Sequence, residues 1–206
     1  MKMKYNSICI LDTETTDLYW NHSAPIQIAA EIIDDQGRII DTFNERIKTT
    51  YHINPSASEV HGIYAKDLLH CRPESAVLLD FCLWLKQYKV EAILTYNGEA
   101  FDRPLLNLRC QKLNIPVDWF DKTRFPGLDG AVDVRAAKKI NLFGLKDSLG
   151  KGWKLSKTAE ALGISAVGAH DALADVEMLR QVFFKLDPYI NPTNWIDNTI
   201  QATSLF

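Results

Sequence analysis

The most constraining feature of the chain is a short apolar run that stops on carboxylates. Ser7-Ile-Cys-Ile-Leu11 reads as a short buried strand, and Asp12-Thr13-Glu14-Thr15-Thr16 follows it at once. In extended geometry successive side chains alternate, so Asp12 and Glu14 project from one face. Two carboxylates on one face repel each other unless a cation sits between them, and a hard divalent cation with oxygen ligands is the natural partner. Taken alone, the segment also fits a strand-end turn in which Asp and Thr side chains cap backbone groups.

The rest of the chain supplies a sheet around that strand. Ile26 to Ile33 predicts a second strand, Asp34-Asp35-Gln36-Gly37 a turn, and Arg38 to Ile47 a third strand closing a hairpin. The tract with Pro55, Ser56 and Ser58 reads as a loop. Pro73-Glu74-Ser75 opens a helix whose Val77, Leu78, Phe81, Leu85 and Tyr88 share one face. Ala92 to Tyr96 is a fourth strand, ended by Asn97-Gly98, and Asp102-Arg103-Pro104 starts a helix with Leu105, Leu106, Leu108 and Leu113 as its apolar side.

Pro116 to Gly130 reads as irregular. Short helices are expected over Val132 to Ile140 and Ser156 to Leu162, with Gly163 as a C-cap. A long helix from about Asp171 to Leu186 carries the buried stripe Ala172, Val176, Leu179, Phe183 and Leu186. Pro188 is read as the end of the domain, giving a domain over 1–186 and a tail or loosely packed extension over 187–206. A meander of three strands, a helix, a parallel strand and further helices is an α/β fold, with a mixed central sheet flanked by helices.

Two further acidic clusters fall next to these elements. Tyr96-Asn97-Gly98-Glu99-Ala100-Phe101-Asp102 follows the fourth strand and puts Asp102 at a helix start, where a carboxylate also serves as an ordinary cap. Ala169-His170-Asp171-Ala172-Leu173-Ala174-Asp175 opens the last helix, with Asp175 at the edge of the buried stripe and His170 just before the helix. A capped helix with a surface carboxylate would explain this cluster by itself. Together, the three bring four carboxylates and a histidine towards one place. Two divalent ions held there would make a phosphoryl-transfer site that stabilises both the attacking and the leaving oxygen.

This set resembles the DEDDh exonucleases of the ribonuclease H-like superfamily, whose pattern is Asp-x-Glu, a later Asp, then His-x4-Asp. Here it reads Asp12-x-Glu14, Asp102 and His170-x4-Asp175. The tract Pro55 to Leu69, with Val60-His61-Gly62-Ile63, is similar to the same region of bacterial proofreading subunits, and Ala169 to Val176 is similar to bacterial exonuclease I. The resemblance covers about residues 6–186.

It implies a ribonuclease H-like fold and a 3′→5′ exonuclease that releases nucleoside 5′-monophosphates. It also implies two Mg2+ or Mn2+ ions ligated by Asp12, Glu14, Asp102 and Asp175, with His170 as general base, a role that suits a group titrating near neutral pH. By the same resemblance Thr13, Thr15 and Thr16 approach the terminal nucleotide, and His61, Ile63 and Asn97 lie near its base or sugar. Many relatives carry His-Asn where this chain has Tyr96-Asn97.

The expected partner is nucleic acid with a free 3′ end. DNA is favoured over RNA, in replication proofreading or repair. The alternatives are an exoribonuclease that trims RNA, a non-catalytic nucleic-acid-binding module on the same scaffold, and a polymerase accessory protein. Lys146, Lys151, Lys154 and Lys157 cluster around Gly150, Gly152 and Trp153, a composition that suits either a single-stranded backbone or a solvated surface. Gln201, Leu205 and Phe206 resemble the short motifs by which replication proteins bind a sliding clamp; the alternative is an apolar chain end folded back on its own domain.

A net charge of −3 gives no broad basic surface. Ala76 to Leu85, broken by Asp80, is far shorter than the about 20 residues of a membrane span. Ile8 to Leu11 is too short for a signal-peptide core, so a cytoplasmic protein is expected. Cys9, Cys71, Cys82 and Cys110 have no CxxC spacing and are expected as reduced thiols packed like small hydrophobes.

Overall fold

A computed structural model describes residues 2–196. In chain order the elements are β1 (Lys2–Met3), β2 (Ser7–Thr15), β3 (Pro25–Asp34), β4 (Ile39–Lys48), α1 (Pro55–His61), β5 (Arg72–Pro73), α2 (Glu74–Gln87), β6 (Ala92–Thr95), α3 (Asp102–Lys112), β7 (Gly127–Asp129), α4 (Gly130–Lys139), α5 (Leu145–Leu149), α6 (Leu155–Ala161), α7 (Ala172–Ile190) and β8 (Trp195–Ile196). The central sheet has the order β5-β4-β3-β2-β6-β7. β2, β3 and β4 form the antiparallel meander, while β6 runs parallel to β2 and β7 parallel to β6. This is the mixed α/β sheet flanked by helices, and β2 is its pivot, with an antiparallel neighbour on one side and a parallel one on the other.

The apolar run of β2 is buried on both faces because each face has its own helical layer. Cys9 and Leu11 pack with Val77, Phe81 and Leu85 of α2 and Leu106 of α3. Ile8 and Ile10 pack with Ala172, Val176, Leu179 and Phe183 of α7. The period of two therefore assigns even-numbered positions of β2 to the α7 side and odd-numbered positions to the α2–α3 side. Cys9, Cys82 and Cys110 are buried free thiols and Cys71 is half-buried.

Several elements differ from the sequence reading. β2 extends to Thr15, so the first acidic cluster lies inside the strand. The tract expected as a loop from Pro55 holds α1, with Asn54 capping the backbone N–H of Ser56 and Pro55 in the first turn, where its missing N–H costs nothing. Within Pro116 to Gly130, Phe120 is buried against Phe81 and β7 adds an edge strand. Buried Arg103 organises this stretch by donating to the carbonyls of Trp119 and Phe125 and pairing with Glu99.

Pro188 does not end the last helix, which runs to Ile190. Residues beyond Leu186 also pack on the domain. Asp187 is fully buried and accepts hydrogen bonds from Asn191, Asn194 and Trp195, and β8 pairs antiparallel with β1. Among the described residues no helix is long and apolar enough to cross a membrane.

Candidate active site

Carboxylates from β2 and α7 converge where the strands β2 and β6 end. This is the end of an α/β sheet at which ligands ordinarily bind. Asp12 and Glu14 continue the Ile8/Ile10 face of β2, the face that α7 covers. Asp171 caps α7 by accepting from the backbone N–H groups of Leu173 and Ala174, and that cap sets Asp175 in the first turn, above β2. Carboxylate oxygens of Asp12, Glu14 and Asp175 all lie within 4.8 Å of one another.

Asp102 reaches the site from the other side of the sheet. Thr13, an odd position of β2, faces α3, and its hydroxyl donates to Asp102 Oδ1 at 2.5 Å. Asp102 is only 7% exposed and stands outside the group formed by the other three. Its charge is nevertheless felt there, because after burial it is the strongest influence on Asp12.

Burial raises all four acids, and repulsion from the others in the group adds to the rise at Asp12 and Glu14. Burial raises Asp12 most, followed by the charges of Asp102, Glu14 and Asp175. Glu14 is pushed up to about 8 by burial and then by Asp175. Asp102 is pushed up to about 6 by burial, against hydrogen bonds from Thr13 and from backbone N–H groups that pull it down. Asp175 is raised by burial, and the neighbouring His170 partly opposes the shift.

Like-charged oxygens this close, partly removed from water, are unfavourable unless protonated or bound to a cation. The donor set is all carboxylate oxygen, which fits a hard divalent ion such as Mg2+ or Mn2+.

His170 sits immediately before the cap, exposed, with left-handed backbone (φ +74°). Its backbone N–H donates to Asp175 Oδ2 at 3.3 Å. His170 and Asp175 line an open cleft of about 860 Å³ together with Leu18, Tyr96, Asn97, Lys151, Trp153 and Lys154, among others. Asn97 has left-handed backbone as well, and its N–H is held by Asp129, which also caps α4. Tyr96, standing where many relatives have histidine, donates its hydroxyl to the backbone carbonyl of Trp153 and so ties the Trp153 loop to the end of β6.

Other residues expected at the substrate are placed differently. Ile63 is 1% exposed and packs with Ile26, Ile53 and Leu68 beneath α1, so it cannot meet a nucleotide in this conformation. His61 accepts from the Ile63 N–H through Nδ1, its Nε2 is buried, and burial pulls its imidazole down. The hydroxyls of Thr13, Thr15 and Thr16 are engaged by Asp102, the Asp17 carbonyl and Ser23 respectively, and so brace the strand end. Gln201, Leu205 and Phe206 lie outside the described residues.

Leu18 and Asp129 had no assigned place at the site in the sequence reading, whereas Trp153, read there as either a strand contact or part of a solvated surface, lines the cleft. Leu18 follows the acidic cluster of β2 and is 69% exposed, a signal visible only once the loop is known to leave it uncovered.

Comparison with known proteins points the same way. The profile of a family described as Exonuclease (RNase_T) matches residues 9–183. The PolC-type DNA polymerase III of Thermotoga petrophila is 28% identical over 176 residues, covering 85% of this chain and 11% of the polymerase. The Streptococcus thermophilus enzyme of the same name is 27% identical over 116 residues, covering 56% of this chain and 8% of its own length. Among solved structures, Escherichia coli exonuclease I in complex with a dA16 oligonucleotide superposes with a TM-score of 0.74 at 22% identity, over 91% of this chain and 42% of that one. A second exonuclease I structure, with a 5cy-dT13 oligonucleotide, gives a TM-score of 0.76 at 21% identity, over 92% of this chain and 42% of that one. This chain therefore spans about a tenth of the first curated relatives and under half of the exonuclease I chain.

Proposed function

The chain belongs to the exonuclease family, the DEDDh branch of the ribonuclease H-like superfamily, and from that premise we propose that it is a metal-dependent 3′→5′ exonuclease that releases nucleoside 5′-monophosphates from DNA. The observation that carries the reading is the convergence of Asp12, Glu14 and Asp175 within 4.8 Å beside His170. A binding module would gain nothing from such a group, which weakens the fold unless a cation fills it. The preference for DNA draws support from the polymerase relatives and from the deoxyoligonucleotides bound to exonuclease I. A role in replication proofreading or repair has the same support.

In this reading Asp12, Glu14 and Asp175 would hold the ions directly, and Asp102, positioned by Thr13, would complete the negative field around them. Two divalent ions bound there would supply a nucleophilic hydroxide near neutral pH and offset charge at the scissile phosphate and the leaving 3′ oxygen. His170 accepts the proton of the attacking water, and its exposed position at the lip of the cleft lets that proton pass on to solvent. Leu18, Tyr96, Asn97 and Trp153 line the cleft that takes the terminal nucleotide, with apolar surface for the base and polar groups for the sugar.

The test is a time course on 5′-labelled single-stranded DNA and RNA of one sequence, with Mg2+, Mn2+ or chelator, beside Asp12→Asn. The expected result is a ladder shortening from the 3′ end, faster on DNA, absent in chelator and reduced by about 10²–10³-fold in the variant, the scale on which loss of a major transition-state charge stabiliser is felt. Faster shortening of RNA would transfer the assignment to an exoribonuclease. Binding without any shortening would leave a non-catalytic module.

A further inference from the structure

A concentrated basic surface lies beside the catalytic cleft and is not needed for the chemistry. Arg135, Lys138 and Lys139 from α4, Lys146 from α5 and Lys151 from the turn after it converge with Trp153 on one concave surface of about 460 Å³. Every lining residue except Trp153 is cationic. Among the described residues none of these cations is in an ion pair. Gathering unpaired like charges is unfavourable, and in a chain of net charge −3 it is not a consequence of overall composition.

The surface is also built. Lys138 donates to the carbonyl of Gly152, and the Arg135 guanidinium lies 5.8 Å from the Trp153 ring centroid, which fixes the loop against α4. Trp153 remains 46% exposed. Lys151 and Trp153 line both this surface and the cleft that holds His170 and Asp175, so the two are continuous.

We propose that this surface is a tracking site for the part of a single strand that lies 5′ of the nucleotide being removed. Its cations take the phosphodiester backbone, and the exposed face of Trp153 takes a base at the point where the strand leaves the cleft. Cations with an interleaved aromatic are the chemistry of sequence-independent single-strand binding. A strand whose 3′ end is in the cleft must leave it as a polyanion, and this is a cationic surface that shares its wall. The inference rests on the proposed exonuclease reading, since it takes the strand direction from that site.

The test uses the full chain and the double variant Lys139→Gln/Lys146→Gln. Both residues are exposed, away from the cleft and outside the contacts that hold the Trp153 loop. The readout is kcat/KM on 5′-labelled single strands of about 3 and about 20 nucleotides at rising salt, lengths that fall short of and exceed the usual single-strand site size. The wild type is expected to favour the long strand. The variant should lose on the order of tenfold of that advantage at low salt, and its salt dependence should be shallower by about 1.4 in the log–log slope, since each neutralised single-strand contact contributes about 0.7. Lys139→Glu/Lys146→Glu should lose more, and unchanged melting temperatures exclude a folding defect as the cause.

An unchanged long-to-short ratio overturns the proposal, and so does an equal loss on both lengths. If the ratio is unchanged while the variant loses binding to poly-glutamate, the surface serves an acidic protein partner instead. If the wild type cuts neither length, the exonuclease reading fails by itself. Direct binding of the long strand to wild type and variant then decides the surface, with equal affinities overturning it.

Discussion

At the scale of single residues, the site depends on backbone that few side chains adopt. His170 has φ +74°, a left-handed conformation that costs an ordinary residue roughly 1–2 kcal/mol. That turn brings its N–H to Asp175 and starts the cap of α7. Asparagine tolerates this backbone well but cannot take a proton. His170→Asn should therefore fold with an unchanged melting temperature while kcat on a labelled strand falls by about 10²–10⁴, the usual worth of a general base. Retained turnover would place proton transfer elsewhere. Gly98 shows the same dependence through close approach, since a Cβ there would lie 2.7 Å from Asp102 Oδ2 and 2.5 Å from Thr95 Cβ. Much of this scale was legible in the sequence. Alternation along β2 put Asp12 and Glu14 on one face, and the helical stripe put Asp175 beside it. The roles of Thr13 and Ile63 were not legible, because they depend on which helix covers the odd face of β2 and on α1 closing over Ile63.

At the scale of elements, the long periodic segments were readable and the short ones were not. The stripe Ala172, Val176, Leu179, Phe183 and Leu186 is buried as the spacing predicts. α1 carried a readable start in Asn54-Pro55 but is too short to show a period, and β7 exists only because β6 offers an open edge. The continuation of α7 past Pro188 depends on a tertiary clasp. Asp187 gathers Asn191, Asn194 and Trp195, and Asp133 of α4 meets the same cluster through Asn191. Burial, and then the charge of Asp187, push Asp133 up to about 7. A carboxyl raised on folding favours the folded state fully below its unfolded value of about 3.9, and that contribution is lost as pH rises through its folded value. Asp133→Asn keeps an acceptor for Asn191 and presents an N–H to Asp187 at every pH. In urea unfolding the variant should match the wild type near pH 4 and exceed it at pH 8 by on the order of 2 kcal/mol. Parallel stability profiles would mean that ionisation of Asp133 is not what weakens the fold at high pH.

At the scale of the whole molecule, the fold gathers acids at one end of the sheet and keeps a basic surface next to them, so binding and stability are linked. Asp12, Glu14, Asp102 and Asp175 are all raised on folding. By the same sign rule their contribution to the metal-free fold is full below the ordinary carboxylate range. It is then lost as pH rises through about 6 for Asp102 and about 8 for Glu14. The rest of the core must outweigh that loss, and the apolar layers on both faces of β2 are where it does so. A divalent cation competes with protons for these oxygens, so its stabilisation should grow over the same window. Melting temperatures in chelator are expected to fall from pH 5.5 to pH 8.5. Millimolar Mg2+ or Mn2+ should raise them more at pH 8.5 than at pH 5.5, by several degrees if the concentration reaches about 100 times Kd. Asp12→Asn removes one charge from the centre of the group, so it should melt higher than the wild type in chelator at pH 8.5 and gain less from the cation. A gain from cation that is equal at both pH values, or equal in the variant, would separate ion binding from these carboxylates and leave their convergence without a ligand.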